Sequence, residues 1–161
     1  MGGTYIKHIV DNYHQLADLT FFTQGHPYDA NVYLPLIRYK TDLDSKCKNI
    51  KGKCTETTLR KEWQFLKNAN WDASERYKDF VPRDADMLEF TQKYIGNVPL
   101  DEPLYFPVGA IYAVVKENIL QHPLEYFERM LPEFNITKPM ADHFAERVPN
   151  AIFGYYDEII M

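Results

Sequence analysis

Cysteine is scarce in this chain: its 161 residues include two, Cys47 and Cys54. No histidine lies between them, so they do not make a structural zinc site. The segment between them is basic and carries Gly52 for a turn. It reads as a solvated loop with two free thiols, or alternatively as a short loop closed by a disulfide. Long apolar runs are missing too. None approaches the ~20 residues a membrane helix requires, which argues against an integral membrane segment. The start, Met1-Gly2-Gly3-Thr4-Tyr5, has no basic stretch followed by an apolar one, so it is not a secretory signal. Ile6 stands where a myristoylation site needs serine or threonine. A cytoplasmic location is the default. Positive charge is in deficit: 18 basic against 23 acidic residues give a net charge of −5, which argues against a nucleic-acid partner. A Gly-rich phosphate loop, a His-Glu-x-x-His helix and a Gly-x-Ser-x-Gly elbow are all absent from the sequence.

What is present is globular. The chain is 45% hydrophobic, 15% aromatic and 25% charged. Its length is one domain's worth, enough to bury roughly 70% of the surface exposed when unfolded. We read residues 1–161 as a single α/β domain with an irregular, aromatic insertion at about 42–83 that holds one or two short elements.

The elements follow from periodicity. Tyr5, Ile6, Ile9, Val10, Tyr13, Leu16 and Ala17 recur at helical spacing and predict a helix near 4–17. Leu19 to Thr23 is a nearly continuous apolar run, which suits a strand buried on both faces. It stops at the loop Gln24-Gly25-His26-Pro27-Tyr28-Asp29. Ligands of open α/β sheets bind beyond the carboxyl ends of strands, which makes this loop a candidate by position. A second helix is expected at 30–41, weakened by Pro35. Asp84 is placed to cap a helix at 85–95 whose inner face is Met87, Leu88, Thr91, Tyr94 and Ile95, with Gly96 as its stop. A strand is expected over 105–115, interrupted at Pro107-Val108-Gly109; a glycine inside a strand marks a bulge or a ligand's close approach. Helices follow at 116–121, from Pro123 in the first helical position, and after Thr137 with Pro139 in its first turn.

Several groups could carry chemistry. Asp42-Leu43-Asp44 and Asp84-Ala85-Asp86 have the form of divalent-cation pairs, but neither follows a clean apolar strand, and a helix cap explains Asp84 better. Gln24, His26 and Asp29 can hydrogen-bond a polyol or sugar; the competing reading is a turn set by Pro27 with Asp29 as a cap. On the last helix Asp142 and Glu146 share one side, as do His143 and Arg147. Glu146 is either a general base in a cleft or part of an exposed charged face.

Taken together, three stretches resemble a family. They are Thr4–Tyr13 with Leu16-Ala17-Asp18; Phe21-Phe22-Thr23-Gln24-Gly25-His26-Pro27-Tyr28-Asp29; and Gly109–Val114 with Pro123-Leu124-Glu125-Tyr126-Phe127-Glu128. Their order and spacing are similar to the family called domain of unknown function 3431, whose closing helix Glu146-Arg147 matches in part. The resemblance covers most of the chain outside 40–83. It implies a three-layer sheet flanked by helices, distantly similar to the GT-A type of glycosyltransferase and metal-independent, with no cofactor. It also implies a nucleotide-sugar and a glycan acceptor as partners, Glu146 as catalytic base, and Gln24, His26, Asp29, Gly109 and Arg147 as substrate-binding residues. Arg147 would offset the leaving diphosphate. Such members carry an earlier β-α unit before the first helix, whereas this chain begins at the helix; a GT-A-like form lacking that unit is expected, either as a truncated product or as a reduced form that has lost the donor site. Pro149 departs from the family's aromatic position and should break the last helix. The alternative is a non-catalytic glycan- or protein-binding domain that uses Trp63 and Trp71.

Overall fold

The computed structural model describes residues 2–23, 50, 54–68, 87–107, 110–134 and 140–154. In these the chain is mixed α and β. Seven helices and four strands are described: α1 (Gly2–Asn12), β1 (Leu19–Phe22), β2 (Cys54–Thr57), α2 (Leu59–Asn68), α3 (Met87–Tyr94), β3 (Leu104–Pro107), β4 (Tyr112–Val115), α4 (Lys116–Leu120), α5 (Leu124–Met130), α6 (Met140–Arg147) and α7 (Pro149–Ile152). No helix among the described residues is long and apolar enough to cross a membrane.

The single layered sheet gives way, among the described residues, to two antiparallel pairs, β1 with β4 and β2 with β3. In the first, Phe22 lies opposite Tyr112 and Leu19 opposite Val115. The expectation that β1 is buried on both faces fails. Leu19 and Phe21 are 48% and 43% exposed, whereas Thr20 and Phe22 are buried. Strand side chains alternate between faces, and only the face carrying Thr20 and Phe22 is covered here. The expected strand over 105–115 is two strands in two different sheets. Ala110, between them, sits at φ 55°, a left-handed conformation that a strand cannot continue through.

The first helix ends earlier than its periodicity suggests. It passes at Tyr13–Gln15 into a 3₁₀ turn before β1. Gly3 is placed in α1 by packing: a Cβ there would lie 2.6 Å from the Cβ of Phe134, so the close approach of the 3₁₀ turn Leu131–Phe134 requires glycine. Gly96 ends α3 at φ 99°, as its position implies. Pro123 is one residue earlier than expected, at the N-cap of α5 with φ −67° and ψ 160°. At the other end Pro149 separates α6 from α7 and takes the first position of the new turn, where its missing N–H costs nothing.

Among its described residues the segment at 42–83 holds two short elements, as expected. Within it, β2 pairs with β3, and α2 buries Leu59 and Leu66. Thr58 precedes α2 and its hydroxyl accepts the Lys61 backbone N–H at 3.2 Å, a capping bond that sets the helix start. The helix expected at 30–41 and both Asp-x-Asp pairs lie outside the described residues.

Two aromatic clusters fill the core. Tyr5 of α1 stacks on Phe22 of β1 at 4.7 Å and meets Tyr112 of β4 edge-on at 5.8 Å, while Phe153 lies against both Phe22 and Tyr112. Around α6, Phe144 packs against Phe90 at 5.6 Å and Trp63 at 6.0 Å. Offset and edge-on contacts of this kind add to the area each ring buries. They also lock α6 between α1, α3 and β3, which fixes the helix that carries Glu146.

Candidate functional site

Helix α6 buries Phe144 and Ala145 in the core, and Val148 just beyond its end is also buried. That phase turns His143, Glu146 and Arg147 sideways, at the margin of the core. Their side chains are 21%, 17% and 14% exposed. An exposed charged face is therefore not what the last helix presents.

Glu146 has a protein environment on two sides. Its carboxylate lies 3.9 Å from His143 Nδ1, one turn back on the same helix. It also reaches Tyr112 electrostatically. The Tyr112 hydroxyl titrates well above its ordinary value, first because it is fully buried, then because Tyr5 and the negative Glu146 oppose a phenolate. Tyr5 in turn donates its hydroxyl to the carbonyl of Ala110 at 3.0 Å. The left-handed Ala110, the end of β4 and Glu146 thus belong to one neighbourhood. Chain connectivity adds the strand end: Thr23 follows Phe22, the partner of Tyr112.

Arg147 is committed elsewhere. Its Nε donates to Glu62 Oε2 at 2.8 Å, and its Nη1 donates to the carbonyl of His143 at 3.1 Å. The hydroxyl of Thr57 donates to the other oxygen of Glu62 at 2.8 Å. The guanidinium also lies 5.7 Å from the ring centre of Phe65 and 6.0 Å from that of Phe106. This network ties α6 to α2 and to the end of β2. Trp63 is partly buried, packed on Phe144 with the Lys67 ammonium 5.1 Å from its ring centre.

Of the residues singled out from the sequence, Glu146 and Arg147 are adjacent on α6 but face different partners. Gln24, His26, Asp29, Gly109 and Trp71 lie outside the described residues, as does the side chain of Asp142. Sequence reasoning missed Glu62, Thr57, Tyr5 and Tyr112 as neighbours of the site. The cap at Thr58 and the spacing of Leu59, Trp63 and Leu66 signal the helix that carries Glu62; nothing local signals its pairing with a residue 85 positions away. No group of three or more His, Cys, Asp or Glu side chains among the described residues is placed to hold a metal ion.

The free-thiol reading of the cysteine loop is overturned, since Cys54 is disulfide-bonded. The chain contains one other cysteine, Cys47, which lies outside the described residues. A stable disulfide is a feature of oxidising compartments, against the cytoplasmic default. In comparisons with known proteins, the chain matches no protein-family model, no curated protein and no solved structure.

Proposed function

We propose that the chain is a glycosyltransferase-like protein of the family called domain of unknown function 3431, related to the GT-A type, which moves a sugar from a nucleotide-sugar to a hydroxyl acceptor without a metal. The observation that carries this reading is the setting of Glu146. Its carboxylate is largely shielded from water, beside the buried Tyr112 ring and a turn away from His143. A carboxylate in that position can accept a proton from an acceptor hydroxyl. The acceptor oxygen then bonds to the anomeric carbon as the bond from that carbon to the diphosphate breaks. The proton goes to Glu146 and the nucleoside diphosphate leaves. Gln24, His26 and Asp29, just past the end of β1, and Gly109, just before Ala110, are the proposed substrate contacts.

A non-catalytic glycan- or protein-binding role is the second reading. It is favoured by Arg147, whose bond to Glu62 must open before the guanidinium can offset a leaving diphosphate. Calorimetric titration with nucleotide-sugars tests the proposal. Saturable binding that persists in Glu146→Gln, together with loss of donor turnover in that variant, is expected. Binding of no nucleotide or nucleotide-sugar would rule out the transferase reading, while glycan binding without donor turnover would favour the second.

A further inference from the structure

Of the nine asparagines in the chain, Asn135 alone has a hydroxyl residue two positions on, in Asn135-Ile136-Thr137. That is the pattern of an N-glycosylation acceptor, which needs serine or threonine in third place and any residue but proline in the middle. Ile136 meets the requirement, and the residue after Thr137 is Lys138 rather than proline. A single triplet of this kind also arises by chance, and two independent features give it weight here.

The first is the disulfide. Cys54 is disulfide-bonded, and the chain's other cysteine is Cys47. Ile50, between the two cysteines in sequence, is buried at 3% exposure and belongs to the core. The bond therefore braces a packed segment of the fold. Structural disulfides form in oxidising compartments such as the lumen of the endoplasmic reticulum. Acceptor asparagines are glycosylated in that same lumen.

The second is position. Asn135 and Thr137 themselves lie outside the described residues, but the elements on either side bound them. The 3₁₀ turn Leu131–Phe134 ends one residue before Asn135, and α6 begins at Met140. The triplet belongs to the connection between two elements, and connections run over protein surfaces. The turn leading into it is itself at the surface. Pro132 is exposed, and Glu133, with a side chain 36% exposed, pairs with Lys93 at 2.5 Å. Phe134, whose ring meets Phe90 edge-on at 6.4 Å, is the last anchor before the triplet. A bulky, solvated glycan needs a site of this kind.

We propose that Asn135 is an N-glycosylation site, whose side-chain amide takes an oligosaccharide from a lipid-linked diphosphate donor. The amide nitrogen bonds to the anomeric carbon of the first sugar as the bond from that carbon to the diphosphate breaks. The amide proton passes to the transferring enzyme, and the lipid diphosphate leaves. Glu146 lies ~9 Å along α6 from its first residue. The modification is therefore at the other end of that helix and does not depend on the transferase reading.

The test is expression of the full chain behind a cleavable secretory leader in eukaryotic cells, with intact mass, thiol labelling and glycosidase digestion of the product. An N-glycan on the folded population is expected. Peptide N-glycosidase in heavy-oxygen water should remove it and leave a labelled aspartate at position 135. The glycan should be lost in Asn135→Gln and in Thr137→Ala and kept in Thr137→Ser, and the modified chain should carry no free thiol. Translation in vitro with microsomes reads the same mobility shift whether or not a variant goes on to fold. A lumenal chain with its disulfide closed and Asn135 unmodified would overturn the proposal. So would a glycan that persists in Asn135→Gln, or one confined to chains with free thiols.

Discussion

The pair formed by Arg147 and Glu62 sets the orientation of the helix that bears Glu146, and its disruption has a definite signature. Each side chain retains 14% exposure, so the pair is desolvated but not sealed. Removing one partner of a fully buried pair costs 3–5 kcal/mol, because the remaining charge is stranded. With residual access to water, about 2–3 kcal/mol is expected for Arg147→Met or for Glu62→Met. In Arg147→Met the Glu62 carboxylate keeps the Thr57 hydroxyl, and in Glu62→Met the guanidinium keeps the His143 carbonyl. Neither residual bond neutralises the charge. The double variant strands nothing and should cost less than either single change, giving a coupling of about 3 kcal/mol. Urea unfolding with a constant slope measures all four corners of the cycle. Single losses under about 0.5 kcal/mol, the behaviour of an exposed ion pair, would refute the reasoning. An additive double variant would refute it too.

Three further outcomes follow from the packing. Gly3→Ala should lose about 1–3 kcal/mol despite the better helix propensity of alanine, since its Cβ would lie 2.6 Å from that of Phe134; an unchanged or raised melting temperature would contradict this. Tyr5→Phe strips the hydroxyl that satisfies the Ala110 carbonyl at 3.0 Å and should cost about 1–2 kcal/mol by chemical denaturation, whereas no loss would mean that the carbonyl has another partner. The pKa of His122 is held down in the folded state, mainly by burial, so the unfolded chain binds the proton more readily. Its contribution is present above about pH 6.5, the ordinary histidine value. It is lost as pH falls toward the lower folded value. Wild type should therefore lose more stability on acidification through that window than His122→Gln, and equal losses would show that His122 is not the group responsible.

Local signals were reliable where one residue type decides a local conformation. Gly96 stops α3 and Pro149 splits the last helix, each for a backbone reason that acts within one turn. The apolar spacing of Ile6 and Ile9, and of Phe144, Val148 and Ile152, marks faces that are in fact buried. Failure came where the outcome depends on partners distant in sequence. A run such as Leu19-Thr20-Phe21-Phe22 has the same composition whether one or both faces are covered, and only its pairing with β4 leaves Leu19 and Phe21 outside. The interruption at Pro107-Val108-Gly109 was legible, but it read as a bulge within one strand. The left-handed conformation falls on Ala110, beside the glycine, and the division of the two halves between different sheets depends on distant partners. At the site, Glu146 and Arg147 were visible as charges at helical spacing. Their shielding, and the diversion of Arg147 to Glu62, come from contacts between α6 and segments that local patterning treats independently.

The central claim is that the Glu146 carboxylate takes the proton from an acceptor hydroxyl. Its most direct test is donor turnover, measured as release of nucleoside diphosphate from a panel of nucleotide-sugars with wild type and with Glu146→Gln, alongside thermal unfolding of both. The account predicts release by wild type, slowed about a hundredfold or more in the variant as expected for loss of a general base, at an unchanged melting temperature. Equal release by the two proteins, or none by wild type with any donor, would contradict it.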